Sequence, residues 1–110
     1  MSQVINIAKD YTTTPGGRYR AKGPFSGEDF RESILIPKFQ EACKKGETLT
    51  VNFDGGFGYS TSFLEEAFGG LVRRLRDSRV QNIILISQDE PSVILKVTAY
   101  IQEALQKLGR

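Results

Sequence analysis

Val51-Asn52-Phe53-Asp54-Gly55-Gly56-Phe57-Gly58-Tyr59-Ser60-Thr61-Ser62-Phe63-Leu64-Glu65-Glu66-Ala67-Phe68 reads as a buried strand, a glycine-rich turn, three consecutive hydroxyls and the start of an amphipathic helix. From Thr48 to Phe53, Leu49, Val51 and Phe53 alternate with Thr48, Thr50 and Asn52, which is the two-residue period of a strand. From about Phe63 to Arg76 the apolar residues fall at helical spacing: Phe63, Leu64, Ala67, Phe68, Leu71, Val72 and Leu75. The spacing of Ser62 and Glu65 predicts a capping box at the helix start. Gly69-Gly70 inside this helix costs about 1 kcal/mol per residue relative to alanine, so the pair predicts close packing against another backbone.

Working outward, Val4 to Ala8 reads as a short strand with Ile5 and Ile7 on one face. Pro15-Gly16-Gly17 marks a turn, and Arg18-Tyr19-Arg20 is expected to return as a short strand. Gly23-Pro24 breaks the chain before Ser26, which suits the N-cap of a first helix, with Asp29 as a weak capping-box partner. Pro37 in that helix predicts a kink or two successive pieces, the second from Pro37 to Lys45, with Gly46 as terminator. Val80 to Ser87 holds the run Ile83-Ile84-Leu85-Ile86, expected as a strand buried on both faces. Pro91 sits in the first turn of a last helix whose apolar face is Val93/Ile94, Val97, Tyr100/Ile101, Ala104/Leu105 and Leu108. Strands alternating with helices predict an α/β domain over residues 1–110, a mixed sheet covered by helices. The right-handed crossover rule makes the Thr48–Phe53 and Val80–Ser87 strands parallel neighbours.

Composition removes several classes of chemistry. The 110 residues carry a net charge of +2, include no histidine and contain one cysteine, Cys43. A Ser-His-Asp triad, a His-ligated metal, an internal disulfide and a Cys-rich zinc site are therefore excluded within the chain. Cys43 falls in a predicted helix and reads as a structural thiol. The N-terminus has no basic region followed by a long apolar run, and no segment approaches the roughly 18 apolar residues of a membrane span. The expected location is cytoplasmic, away from membranes. The basic run Arg73-Arg74-Leu75-Arg76-Asp77-Ser78-Arg79 suits a helix C-terminus and is too narrow to argue for nucleic acid. The adjacent carboxylates Glu65-Glu66 and Asp89-Glu90 are expected to diverge around their helices, so no facing acid pair is indicated. The chain reads as a non-enzyme with no cofactor and no metal.

Two segments remain as candidate sites. In open α/β sheets partners meet the carboxyl ends of strands, where the glycine-rich turn lies. Its hydroxyls are open to three readings: a phosphorylation switch, an anion site or a helix cap. Arg18 and Arg20 beside flexible glycines could grip a phosphate or carboxylate, and Arg18 could instead serve a structural role against Asp54 or Glu28. The partner- or anion-binding candidates are Arg18, Arg20, Asp54, Gly58, Tyr59, Ser60, Thr61 and Ser62.

Pro15-Gly16-Gly17-Arg18, the segment from Gly23 to Arg31 and the long motif from Gly58 to Leu71 resemble the bacterial STAS-like domain family of unknown function, which is related to anti-sigma-factor antagonists. The resemblance implies a STAS-like, mixed and mostly parallel sheet of four to five strands with helices packed mainly on one side. In antagonists of that type a serine at the start of the helix after a central strand is phosphorylated by a partner kinase that is also an anti-sigma factor. The resemblance places Ser62 at that serine, with Thr61 the second candidate. Ser60 stands where an aspartate is usual, and Phe63 where a glycine is usual. The implied function is a non-enzymatic protein-interaction module, switched by Ser/Thr phosphorylation, with a histidine-kinase-like ATPase or anti-sigma-type kinase as partner. Two alternatives stand beside it: a small anion- or nucleotide-binding sensor using the same turn, and an unswitched accessory subunit.

Overall fold

The computed structural model describes residues 3–109. Strand β1 (Gln3–Asn6) runs directly into a short helix α1 (Ile7–Asp10). The long helix α2 covers residues 27–45, β2 is Leu49–Asn52, and helix α3 covers residues 61–75. Strand β3 (Ile84–Ile86) and helix α4 (Ser92–Leu108) complete the chain. The described residues form a three-stranded sheet in the order β1-β2-β3, parallel throughout, with Ile5 opposite Val51 and Val51 opposite Leu85. The parallel pairing of the second and third strands is as expected; a sheet of four or five strands is not observed.

The missing strands have local causes. Asn6 ends β1 early because its side chain accepts from the Lys9 N–H, so Ile7 and Ala8 are helical rather than extended. Arg18-Tyr19-Arg20 does not return as a strand: the Gly17 and Arg18 carbonyls accept from Gly27 and Glu28, at the first turn of α2, and Arg20–Lys22 is a 3₁₀ turn. The apolar run before Ser87 is extended only over Ile84–Ile86, since Asp77 caps a 3₁₀ turn over Ser78–Asn82. Nor is that strand buried on both faces. Ile5, Val51 and Leu49 pack into the core beneath the helices, whereas Val4 and Ile84 on the opposite face are 56% and 49% exposed.

Pro37 acts as foreseen in part. The helix does not break; it widens into a π turn at Arg31–Leu35 and resumes as Ile36–Lys45, ending at Gly46 in the left-handed region. Proline has no N–H for the Ser33 carbonyl and would crowd it in a regular helix. The wide turn relieves this, with the Ile36 N–H reaching back to the Arg31 carbonyl. Helix α3 carries a second π turn at Glu65–Gly69, without any proline. There the Gly70 N–H bonds the Glu65 and Ala67 carbonyls and bypasses Glu66.

The core is rich in aromatics. Phe30 stacks on Phe63 with ring centres 5.8 Å apart, and Phe68 packs on both Phe30 and Phe53. Gly27 brings the starts of α2 and α3 into backbone contact, because a Cβ there would lie 2.5 Å from the Phe63 carbonyl oxygen. Gly27→Ala is therefore expected to lower stability by about 1–3 kcal/mol through overpacking. Gly17→Ala, where nothing lies within 4 Å, is expected to stay within about 0.5 kcal/mol of wild type. Urea midpoints of the two variants test the contrast.

Candidate functional site

The loops that leave the carboxyl ends of the three strands meet at the amino end of α3. Asp54 accepts from the backbone N–H groups of Gln88 (3.1 Å) and Asp89 (2.8 Å), and Asp89 in return accepts from Gly55 N–H at 3.1 Å. Tyr59 donates its hydroxyl to the Phe53 carbonyl at 2.9 Å and packs on Phe53 and Phe63. Gly58 adopts φ 116°, a conformation open to glycine, and turns the chain into the helix. Phe57, between Gly56 and Gly58, is almost fully exposed.

Ser60, not Ser62, is the N-cap. Its Oγ accepts from the Phe63 N–H at 3.1 Å and donates to the Gly16 carbonyl at 3.1 Å. The helix thus begins two residues before the expected point, and the Ser62–Glu65 capping box does not form. The glycine turn delivers Ser60 with extended backbone angles, as a cap requires. Thr61 is exposed and Ser62 half-buried, and neither hydroxyl has a hydrogen-bond partner among the described residues. Ser26 does cap α2 as expected, but Asp29 leaves the capping box and binds Tyr11 Oη at 2.6 Å and Arg20 Nε at 2.9 Å.

Glu65 and Glu66 form the part of the site that sequence reasoning missed. Rather than diverging, both carboxylates reach Arg18 Nη1, at 2.6 and 3.3 Å. Their long side chains converge on one guanidinium at the head of the π turn, where Glu65 itself keeps regular helical angles. Glu65 is also gripped by Arg73, at 2.7 and 3.1 Å. Glu66 is bound by Arg31 at 2.5 Å, and Arg31 also donates to the Glu66 carbonyl at 2.9 Å, the oxygen that Gly70 bypasses. Arg31 bonds Glu32 as well, at 2.8 Å. The Arg31 and Glu66 side chains are only 10% and 12% exposed.

Gly69 and Gly70 make room for this network rather than for another backbone. A Cβ on Gly70 would lie 2.4 Å from Arg31 Nη1, and one on Gly69 would lie 2.4 Å from Glu65 Oε2. Both candidate arginines are thus turned toward carboxylates of the chain itself: Arg18 toward Glu65 and Glu66, not Asp54 or Glu28, and Arg20 toward Asp29. A pocket of about 200 Å³ lies away from this turn, between Phe39, Cys43 and Leu49 and a rim of Arg79 and Asn82. Cys43 is half-buried.

The charges are tuned by these contacts. Arg73, then Arg18, hold the Glu65 carboxyl below its ordinary 4.5 despite partial burial. The Tyr11 hydroxyl and Arg20 hold Asp29 below 3.8. Burial, aided by the negative charge of Asp54, pushes the Tyr59 phenol up to about 12, and burial beside Asp29 raises Tyr11. Among the described residues no group of three or more His, Cys, Asp or Glu could hold a metal ion, and no helix is long and apolar enough to cross a membrane.

A family model described as a STAS-like domain of unknown function (DUF4325) matches residues 26–93. No curated protein matches the chain, and no solved structure does.

Removing Arg31 leaves Glu66 nearly buried and its carbonyl short of a donor, so Arg31→Ala is expected to cost about 3–5 kcal/mol. Arg18→Ala leaves Glu65 with Arg73 and Glu66 with Arg31, and its expected cost is about 1 kcal/mol or less. Chemical denaturation of both variants measures the difference. The pH dependence has a definite sign at each end. Depressed carboxyls stabilise the fold fully above their ordinary values, so the contributions of Glu65 and Asp29 are lost on acidification below 4.5 and 3.8. A raised phenol stabilises fully below its ordinary 10.0, so the Tyr59 contribution is lost between pH 10 and about 12. Melting temperatures of wild type and Tyr59→Phe from pH 9 to 12 should converge as the pH rises.

Proposed function

Taking as premise that the chain belongs to the STAS-like family of unknown function, we propose that it is a non-enzymatic regulatory module that binds a protein partner through the turn at the start of α3. The observation that carries this reading is the condition of the three hydroxyls. Ser60 is engaged as a helix cap, while Thr61 and Ser62, next along the chain, have no partner among the described residues. The exposed Phe57 on the same turn offers an apolar anchor, the residue type that dominates small protein interfaces.

The switch is phosphorylation. Ser62 Oγ, or Thr61 Oγ1 as second choice, takes the terminal phosphoryl group of ATP from a kinase of the histidine-kinase-like ATPase class; the hydroxyl proton is released and ADP leaves. This adds about −1.5 to −2 charges in the first helical turn, where backbone N–H groups and the helix dipole favour them. The same charge stands in front of Glu65 and Glu66, so it alters the surface a partner meets. The anion-sensor reading draws less support, because Arg18 and Arg20 are both committed to carboxylates.

Ser62→Asp is expected to reduce capture of an ATPase partner from the native host at least about tenfold, equivalent to 1.4 kcal/mol, while the circular dichroism spectrum and melting temperature stay near wild type. Equal capture by both forms, or capture of no ATP-binding protein by either, overturns the switch.

A further inference from the structure

Residues 13–25 contribute no buried side chain. This segment lies across the starts of α2 and α3, and main-chain contacts and ion pairs hold it there. The Thr13 carbonyl accepts from Phe57 N–H, Gly17 from Gly27 N–H and Arg18 from Glu28 N–H, at 2.9, 2.9 and 3.0 Å. The Gly16 carbonyl accepts from Ser60 Oγ. Arg20 ties the segment to α2 through Asp29, and Arg18 ties it to α3 through Glu65 and Glu66. Segments with few buried contacts open at low free energy.

Two further features mark it as a moving part. First, the departure of Arg18 strands no carboxylate, since Glu65 keeps Arg73 and Glu66 keeps Arg31. Second, the far end of the segment is strained. Phe25 sits at φ 56°, in the left-handed region that bulky side chains rarely adopt, next to Pro24 and near Gly23 at φ 144°. Opening lets Phe25 return to an ordinary conformation.

We propose that residues 13–25 are a latched strap, that Arg18 is the latch, and that negative charge on Ser62 shuts it more tightly by giving Arg18 a further anion on α3 beside Glu65 and Glu66. Ser62 precedes these carboxylates by three and four residues, the spacing that places groups on one side of a helix. A phosphoryl group there presents several oxygens to the planar guanidinium, beside the one oxygen from each carboxylate. The open strap frees Ser60 Oγ and the Gly27 and Glu28 N–H groups, so the module has two surfaces that a partner can tell apart. The proposal deepens the reading of Ser62 as the regulatory hydroxyl and rests on it for its trigger.

Amide hydrogen exchange on the full chain tests it, using wild type, Arg18→Gln, Ser62→Asp and the double variant. Arg18→Gln is expected to speed exchange at Gly27, Glu28 and Phe57 by about threefold to fivefold, with the amides of β2 and β3 unchanged. Ser62→Asp should slow exchange at the same amides, and change it less than about twofold in the double variant. Unchanged exchange in Arg18→Gln overturns the latch, and so does acceleration of the β2 and β3 amides along with the strap. Acceleration by Ser62→Asp, or an equal change with and without Arg18, overturns the trigger. If the strap responds as expected but partner capture ignores Ser62→Asp, the latch stands and the switch reading fails. If capture discriminates while the strap stays shut in Arg18→Gln, the switch stands and the latch fails.

Discussion

The nearly buried ion pair between Arg31 and Glu66 constrains the rest of the molecule. A guanidinium taken out of water carries a penalty of several kcal/mol unless every donor finds an acceptor. Here it finds the Glu66 carboxylate, the Glu66 carbonyl and the Glu32 carboxylate. The carbonyl is available only because α3 is wound wide at that point, and the space is available only because residue 70 has no side chain. The facing turn of α2 is wide as well, since Pro37 removes a regular bond from the next turn. Two irregular helices and a charged contact therefore support one another, and together they fix how α2 and α3 face each other.

From that frame the surface at the head of α3 follows. Gly27 lets the first turn of α2 touch the Phe63 backbone, which sets the height of the α3 start. Phe30, Phe63 and Phe68 fill the space behind it. Asp54 and Asp89 tie the loops after β2 and β3 to each other. The hydroxyl turn is thus presented from a rigid base, while the segment that crosses it is held by polar contacts and by the packing of Phe25 on Tyr11. A fixed platform beneath a loosely held cover is what a binding surface with two forms requires.

Much of the fold was legible in the sequence because it rests on periodicity. The alternation around Val51 and the helical spacing from Phe63 to Leu75 and from Val93 to Leu108 are strong local signals, and they placed β2, α3 and α4. What misled was chemistry at element ends. Asn6 starts a helix where the apolar pattern suggests a strand, and Ser60 starts one two residues earlier than expected, because a side-chain oxygen satisfies a free N–H. The segment around Arg18 carries strand-forming residues, yet its carbonyls are claimed by the start of α2. The ionic network was hidden for a different reason. Regular helical geometry sends adjacent glutamates apart, and nothing in the residues from Glu65 to Gly69 announces a wide turn except the glycine pair, whose small size signalled a close neighbour of the wrong kind. Sequence reasoning found the turn at Ser60–Ser62 as a candidate site and missed the carboxylates beside it.

The all-parallel sheet has a consequence for how the chain finds its structure. Among the described residues no two strands are joined by a tight turn: Gln3 meets Leu49 across the whole of α2, and Thr50 meets Ile84 across the whole of α3. Every ladder must wait until a long stretch of chain has been closed, with its entropy lost before any reward arrives. The helices, whose bonds are local, are then the natural early structures, and the docking of α2 on α3 through Phe30, Phe63 and Phe68 becomes the event that brings distant strands within reach. A nascent chain would hold β1 unpaired until β2 had emerged, with Val4 and Ile5 exposed to other molecules for that interval.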